Sequence, residues 1–330
     1  MSIQEQVREL VSTIIGERKE QGGIKRVVWI GAGGSNGGNY PAQYFMEHEA
    51  TAVTSSSFTS NEFVFATPSY VNEGTLAVVV SMRGTKETIE AARVAKERGA
   101  VTVAVYVDES GLTEVCDHNI KYDSLALDES CMGRTNSAVV LAIAMELVQQ
   151  TEGYAEYETA MAAFDLVDPI YRKAFDYCQP LAAAWAEQNA DKPCINVMAC
   201  GPLYGAAYVF SICNIQEMLQ IDSCTINTCD FFHGPFEILD KRTSLFQLVS
   251  AGRCRPADER GIAFTERYGG ERVYRLDAKE LGLCDIKDSV SEYFNHLIFS
   301  PILNNVYMRA LSAVTHKDYL TRRYMWKVAY

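Results

Sequence analysis

The chain has 330 residues, 48% hydrophobic and 22% charged, with 42 acidic against 30 basic side chains and a net charge of −12. That length holds one large domain or two of ordinary size, and the composition is that of a soluble globular protein. The acidic balance argues against nucleic acid and anionic membrane surfaces as partners, and no stretch approaches the roughly 18 uninterrupted apolar residues of a membrane span. The mixed-charge start, MSIQEQVREL, does not read as a signal peptide. Ten cysteines are scattered with no C-x-x-C pair and no zinc-finger spacing, which predicts a reducing cytoplasm and no structural metal.

In chain order, Val7, Leu10, Val11, Ile14 and Ile15 form one apolar stripe and predict a helix over 4–20, stopped at Gly22-Gly23. A strand at 26–30 runs into the glycine-rich turn 31–38, and a helix follows over 42–49. A second apolar run, 75–80, ends in Ser81-Met82-Arg83-Gly84-Thr85-Lys86-Glu87-Thr88. A helix to Arg98 is closed by Gly99, and 101–107 is another strand.

The pattern then repeats. A strand at 195–199 meets the turn 201–205, and a helical run reaches Ile221. The run 244–249 ends in Ser250 and a charged loop, and a helix over 258–268 is closed by Gly269-Gly270 before a strand at 272–276. Fifty positions separate Gly31 from Ser81, and forty-nine separate Gly201 from Ser250. Apolar strands joined by helices predict an α/β chain of two tandem, doubly wound parallel-sheet (flavodoxin-like) halves, 1–150 and 193–330, with a helical Ala-rich linker over 151–192.

Ligands of parallel sheets bind beyond the carboxyl ends of the strands, where 31–38 and 81–88 both lie. Glycine lets backbone N–H groups approach an anion, and the hydroxyls of Ser35, Ser81, Thr85 and Thr88 add donors, with Arg83 or Lys86 adding charge. Each turn alone also reads as an ordinary N-capped βα turn; the pair together reads as a phosphate cradle. The loop 250–256 of the repeat lacks the threonines, so the first half is expected to hold the phosphate. Gly31-x-Gly33 opens like a dinucleotide fingerprint, but Asn36 stands where its third glycine belongs.

Glu217 lies in an apolar helical run, where a carboxylate partly out of water can exchange protons; composition alone, with Glu47 at the matching place of the first repeat, favours a plain position on the wet face beside Gln216 and Gln220. His233, in Phe231-Phe232-His233-Gly234-Pro235-Phe236, reads either as a proton shuttle or as a core histidine.

These residues resemble the SIS (sugar isomerase) family, whose best-known member is the isomerase domain of glucosamine-6-phosphate synthase. Asp230–Ile238 and the tail Thr321–Tyr330 resemble the fructosamine 6-phosphate deglycases within it. The resemblance implies two SIS subdomains and an enzyme without cofactor or metal. It implies that Gly34, Ser35, Ser81, Arg83, Thr85 and Thr88 bind the sugar phosphate, that Glu217 transfers the proton, and that His233 assists from a neighbouring subunit of a homodimer or larger homo-oligomer. Lys327 would close over the sugar. The loop 81–88 is one residue shorter than the family's S-x-x-G-x-T-x-x-T, and Asp230 stands where many relatives carry Glu. The expected activity is hydrolysis of a 6-phosphorylated sugar–amine adduct. A carbon-2 adduct, an aldose–ketose isomerisation and a non-catalytic phosphosugar sensor are the alternatives.

Overall fold

A computed structural model describes residues 2–329, and the chain divides into two units, 1–165 and 166–330. Helix α1 (Ile3–Arg18) starts at a reciprocal cap. Ser2 Oγ accepts from the Glu5 N–H at 3.2 Å, and Glu5 Oε2 accepts from the Ser2 N–H at 2.7 Å. Its stripe of Ile3, Val7, Val11 and Ile14 is buried.

Then come β1 (Arg26–Gly31), α2 (Gly34–Gly38), α3 (Tyr40–Glu49), β2 (Thr54–Thr59), α4 (Ser60–Phe65), β3 (Thr75–Val80), α5 (Lys86–Glu97), β4 (Val101–Tyr106), α6 (Gly111–Val115), β5 (His118–Lys121) and α7 (Asn136–Thr151). The five strands are parallel in the order β2-β1-β3-β4-β5. β1, β3 and β4 are buried along almost their whole length, as continuous Val/Ile runs covered on both faces must be. Helix α5 lays Thr88, Ala91, Ala92 and Ala95 against this sheet, and α7, apolar on every side, is buried from Asn136 to Val148.

Helix α8 (Tyr157–Asn189) contains the boundary between the units and carries Pro169 and Pro180 within it. The second unit continues through β6 (Cys194–Ala199), α9 (Tyr204–Val209), β7 (Asp222–Asn227), β8 (Leu245–Val249), α10 (Arg255–Tyr268) and β9 (Val273–Asp277). It ends with α11 (Asp288–Ser291), α12 (Asn295–Ile302) and α13 (Arg309–Thr315). Its sheet is parallel in the order β7-β6-β8-β9, the same winding as β2-β1-β3-β4. Two doubly wound parallel sheets and a repeated topology are what the spacing of the two halves predicts.

Two stretches depart from the expected α-helix. Phe210–Met218, after α9, and Leu303–Met308, after α12, are π-helical; in the first, the Leu219 N–H reaches the Asn214 carbonyl five residues back at 3.2 Å. π-turns are rare and cluster at functional sites. The two are joined by buried amides, with Asn214 Nδ2 donating to Asn304 Oδ1 at 2.7 Å. Beside them lies an aromatic core in which the Phe246 ring is 5.1 Å from Trp185 and 5.0 Å from Tyr307. Among the described residues no helix is long and apolar enough to cross a membrane.

Candidate active site

In the first unit the strand order reverses between β1 and β3, because the chain leaves β1 toward β2 and leaves β3 toward β4. Gly31 pairs with Val80, so the turns 32–35 and 81–85 leave the same edge side by side at this switch point. Gly33 sits at φ +53°, which a larger residue resists, and Ser35 begins the turn with its N–H on the Ala32 carbonyl at 3.1 Å. The Ser35 hydroxyl has no partner among the described residues. Ser81 is buried; its Oγ accepts from the Gly84 N–H at 3.1 Å, which leaves its own hydrogen to donate. No side chain caps the start of α5, and of its first N–H groups that of Thr88 is turned back to the Thr85 carbonyl at 3.0 Å.

The threonines separate. Thr85 is exposed, whereas the Thr88 hydroxyl is buried and held between Ser60 Oγ at 2.8 Å and Thr85 Oγ1 at 2.9 Å. Arg83 points into solvent, with Nε on Asp108 Oδ2 at 2.9 Å. Lys86 makes no ion pair among the described residues.

The corresponding point of the second unit, between β6 and β8, is filled by the protein itself. Asp258, from the first turn of α10, accepts from the Ser250 N–H at 2.9 Å and the Ser250 hydroxyl at 2.6 Å, and Cys200 Sγ lies 3.2 Å from its other oxygen. Burial pushes this carboxyl above the ordinary carboxylate range, against the downward pull of the Ser250 hydrogen bonds. A carboxyl of the chain itself thus takes the Ser250 donors at this point, whereas the Ser81 hydroxyl of the first unit keeps its hydrogen free to donate.

Glu217 lies on the π-helical stretch and lines a pocket of about 490 Å³ with Gln216, Gln220, Asp222, Arg322 and Arg323. Arg322 Nε donates to Glu217 Oε1 at 2.7 Å, and Oε2 accepts no hydrogen bond among the described residues. Arg322 is 9% exposed; its Nη1 donates to the Tyr319 carbonyl at 2.6 Å and its guanidinium stands 5.7 Å from the Trp326 ring. The carboxylate is therefore anchored at one oxygen and open at the other. Glu47, in the matching place of the first unit, is exposed on an ordinary α-helix.

His233 ends a short 3₁₀ turn (Phe231–His233) and is exposed. Phe231 is buried beneath it, Phe232 stacks edge-on against Phe264 at 5.4 Å, and Arg260 covers the Phe232 ring at 4.1 Å. This aromatic plinth turns His233 outward, where its imidazole has no partner among the described residues.

No family model matches the chain. It is 33% identical over 309 residues to the fructosamine deglycase FrlB of Bacillus subtilis (strain 168), covering 93% of each chain. The chain belongs to the SIS family. A solved SIS-type structure, a presumed phosphosugar isomerase from Salmonella typhimurium LT2, superposes with a TM-score of 0.96 at 38% identity, over all of this chain and 98% of that one. A fructoselysine 6-phosphate deglycase of Escherichia coli O157:H7 is 23% identical over 271 residues, 78% of this chain and 74% of its own length.

Within this SIS chain the structure brings Ser35, Ser81 and Thr85 to one switch point with Gly34. It gives Thr88 to internal bonds and Arg83 to Asp108. Glu217 faces a pocket; His233 and Lys327 are exposed and are not among that pocket's lining residues. The Arg322–Glu217 contact and the closing of the second switch point by Asp258 were not read from the sequence. An acidic residue eight positions after Ser250 was the available sign of the second; nothing local to residue 217 marked the first.

Proposed function

We propose that the chain is a deglycase that hydrolyses a ketosamine 6-phosphate to a hexose 6-phosphate and a free amine. The observation that carries this reading is Glu217, a carboxylate with one oxygen held by Arg322 and the other open in a pocket that Gln216, Gln220 and Arg323 also line. The names of the B. subtilis and E. coli relatives support it.

In this reading Glu217 removes a proton from the carbon bearing the amine, and the enaminol is reprotonated at the neighbouring carbon to leave a Schiff base. Water adds there, the carbon–nitrogen bond breaks, and the amine departs with the remaining proton. One carboxylate suffices for a proton moved between adjacent carbons, and such a group contributes about 10²–10⁴-fold. No metal or redox group enters this chemistry. Ser35, Ser81, Thr85 and the backbone at Gly34 hold the phosphate. Thr88 supports Thr85 from behind, and Lys86 supplies charge more directly than Arg83, which Asp108 engages. Binding energy taken up at the phosphate positions the reacting carbons. His233, outward and unpartnered, serves ring opening in a neighbouring copy of a homodimer or larger assembly, and Lys327 reaches the sugar when the tail closes. Ten free thiols fit a reducing cytoplasm.

Glu217→Gln should keep the circular dichroism spectrum of the wild type and lose about 10²–10⁴-fold in turnover. Turnover within about threefold of wild type in a folded variant refutes the assignment. The resemblance in fold to a phosphosugar isomerase keeps one other reading in play: interconversion of hexose 6-phosphates without amine release, which product analysis separates.

A further inference from the structure

We propose that Arg322 is the positioning residue of this site: it holds Glu217 Oε1 so that Oε2 alone is presented to the substrate carbon. The proposal rests on Glu217 being the proton-transferring group. Its basis is geometric. Among the described residues Arg322 Nε, at 2.7 Å, is the carboxylate's one side-chain partner, and the guanidinium is itself fixed from two further sides, by the Tyr319 carbonyl at 2.6 Å and by the face of Trp326 at 5.7 Å. A planar guanidinium with several fixed donors transmits that rigidity to the carboxylate, as a single flexible ammonium does not. Glu217 stands on a π-helical stretch whose backbone is pinned by the buried Asn214–Asn304 pair. Its backbone is thus fixed by one contact and its tip by the other, and only the tip contact selects which oxygen remains open.

The tail follows the last helix, which ends at Thr315, and is tied back to the Glu217 helix by Lys317 Nζ on the Gln220 carbonyl at 3.4 Å and Arg323 on Gln220 Oε1 at 3.3 Å. Arg322 is the buried member of this set. Lys327, further along the same tail, is exposed and lines no part of the pocket. The tail's working cation, before any ligand arrives, is therefore Arg322.

The test is a kinetic double-mutant cycle on the full chain, with Arg322→Ala, Arg322→Lys, Glu217→Gln and the double variant Glu217→Gln/Arg322→Ala. The substrate is a ketosamine 6-phosphate that the wild type turns over. A carboxylate misplaced by about an ångström loses on the order of 10²-fold, so Arg322→Ala should lower kcat by about 10² while KM stays within about threefold. Arg322→Lys should recover only part of that loss, and added guanidinium ion should restore kcat in Arg322→Ala but not in Glu217→Gln. In the Glu217→Gln background Arg322→Ala should change the residual rate by less than about threefold, because it acts through the carboxylate. Should Arg322→Ala fail to fold, Arg322→Lys carries the same cycle with the charge retained. Unchanged kcat, a loss confined to KM, or losses that multiply in the double variant would each overturn the proposal. A Glu217→Gln enzyme that stays active would instead overturn the base assignment on which it rests.

Discussion

His296 offers a sharp test of how the second unit is packed. It lies in α12, wholly buried, with Nδ1 unpartnered, and burial lowers its pKa from 6.5 to about 3. Unfolded, the imidazole takes up a proton near its ordinary value; folded, it does so only near pH 3. Between those values the unfolded state binds more protons, so stability present at neutral pH is lost as pH falls below about 6.5. At 1.36 kcal/mol per unit, lowering the pH to about 5 costs about 2 kcal/mol through this one group. The assay is urea unfolding of the wild type and His296→Leu at about pH 7.5 and about pH 5, with the pH effect compared between the two so that other titrating groups cancel. The wild type should lose about 2 kcal/mol more than the variant over that interval. Equal losses would show that His296 is solvated or charged in the folded chain and would refute the burial argument. His296→Gln provides the same comparison if leucine does not fold.

Two other outcomes follow from the switch points. Ser81→Ala should raise KM for a 6-phosphorylated substrate more than it lowers kcat, since it removes a donor to a remote phosphate; an unchanged KM in steady-state kinetics would contradict the cradle. Asp258→Ala should destabilise the chain by about 1–3 kcal/mol in urea titration, because it leaves the Ser250 N–H and hydroxyl buried without an acceptor, and Asp258→Asn should cost less; equal stability of the Ala variant and the wild type would contradict it.

The strands that the sequence announces are those buried on both faces. β1, β3, β4, β6 and β8 appear as apolar runs because helices cover them on each side, and β9 follows the second of two glycines. The strands it hides are edges: β2 (TSSSFT), β5 (HNIK) and β7 (DSCTIN) are partly exposed and polar, so they carry no continuous hydrophobic signal. The helical run to Ile221 was visible, but not its π-helical winding. The partner that its Asn214 side chain finds, Asn304, lies ninety residues away. The same limit applies to the site. Glycines and hydroxyls at strand ends mark an anion turn locally, whereas the difference between Thr85 and Thr88 depends on Ser60, and the anchoring of Glu217 depends on a tail residue 105 positions later.

The measurement that bears most directly on the whole account is incubation of the purified chain with fructoselysine 6-phosphate, fructose-aspartate 6-phosphate and a carbon-2 glucosyl-lysine 6-phosphate, with free amino acid and hexose phosphate assayed in parallel. The account predicts release of amine and hexose 6-phosphate in equal amounts from at least one ketosamine, with the loss of that release in Glu217→Gln. Interconversion of hexose 6-phosphates without amine, or binding of the phosphates without any turnover, would contradict it.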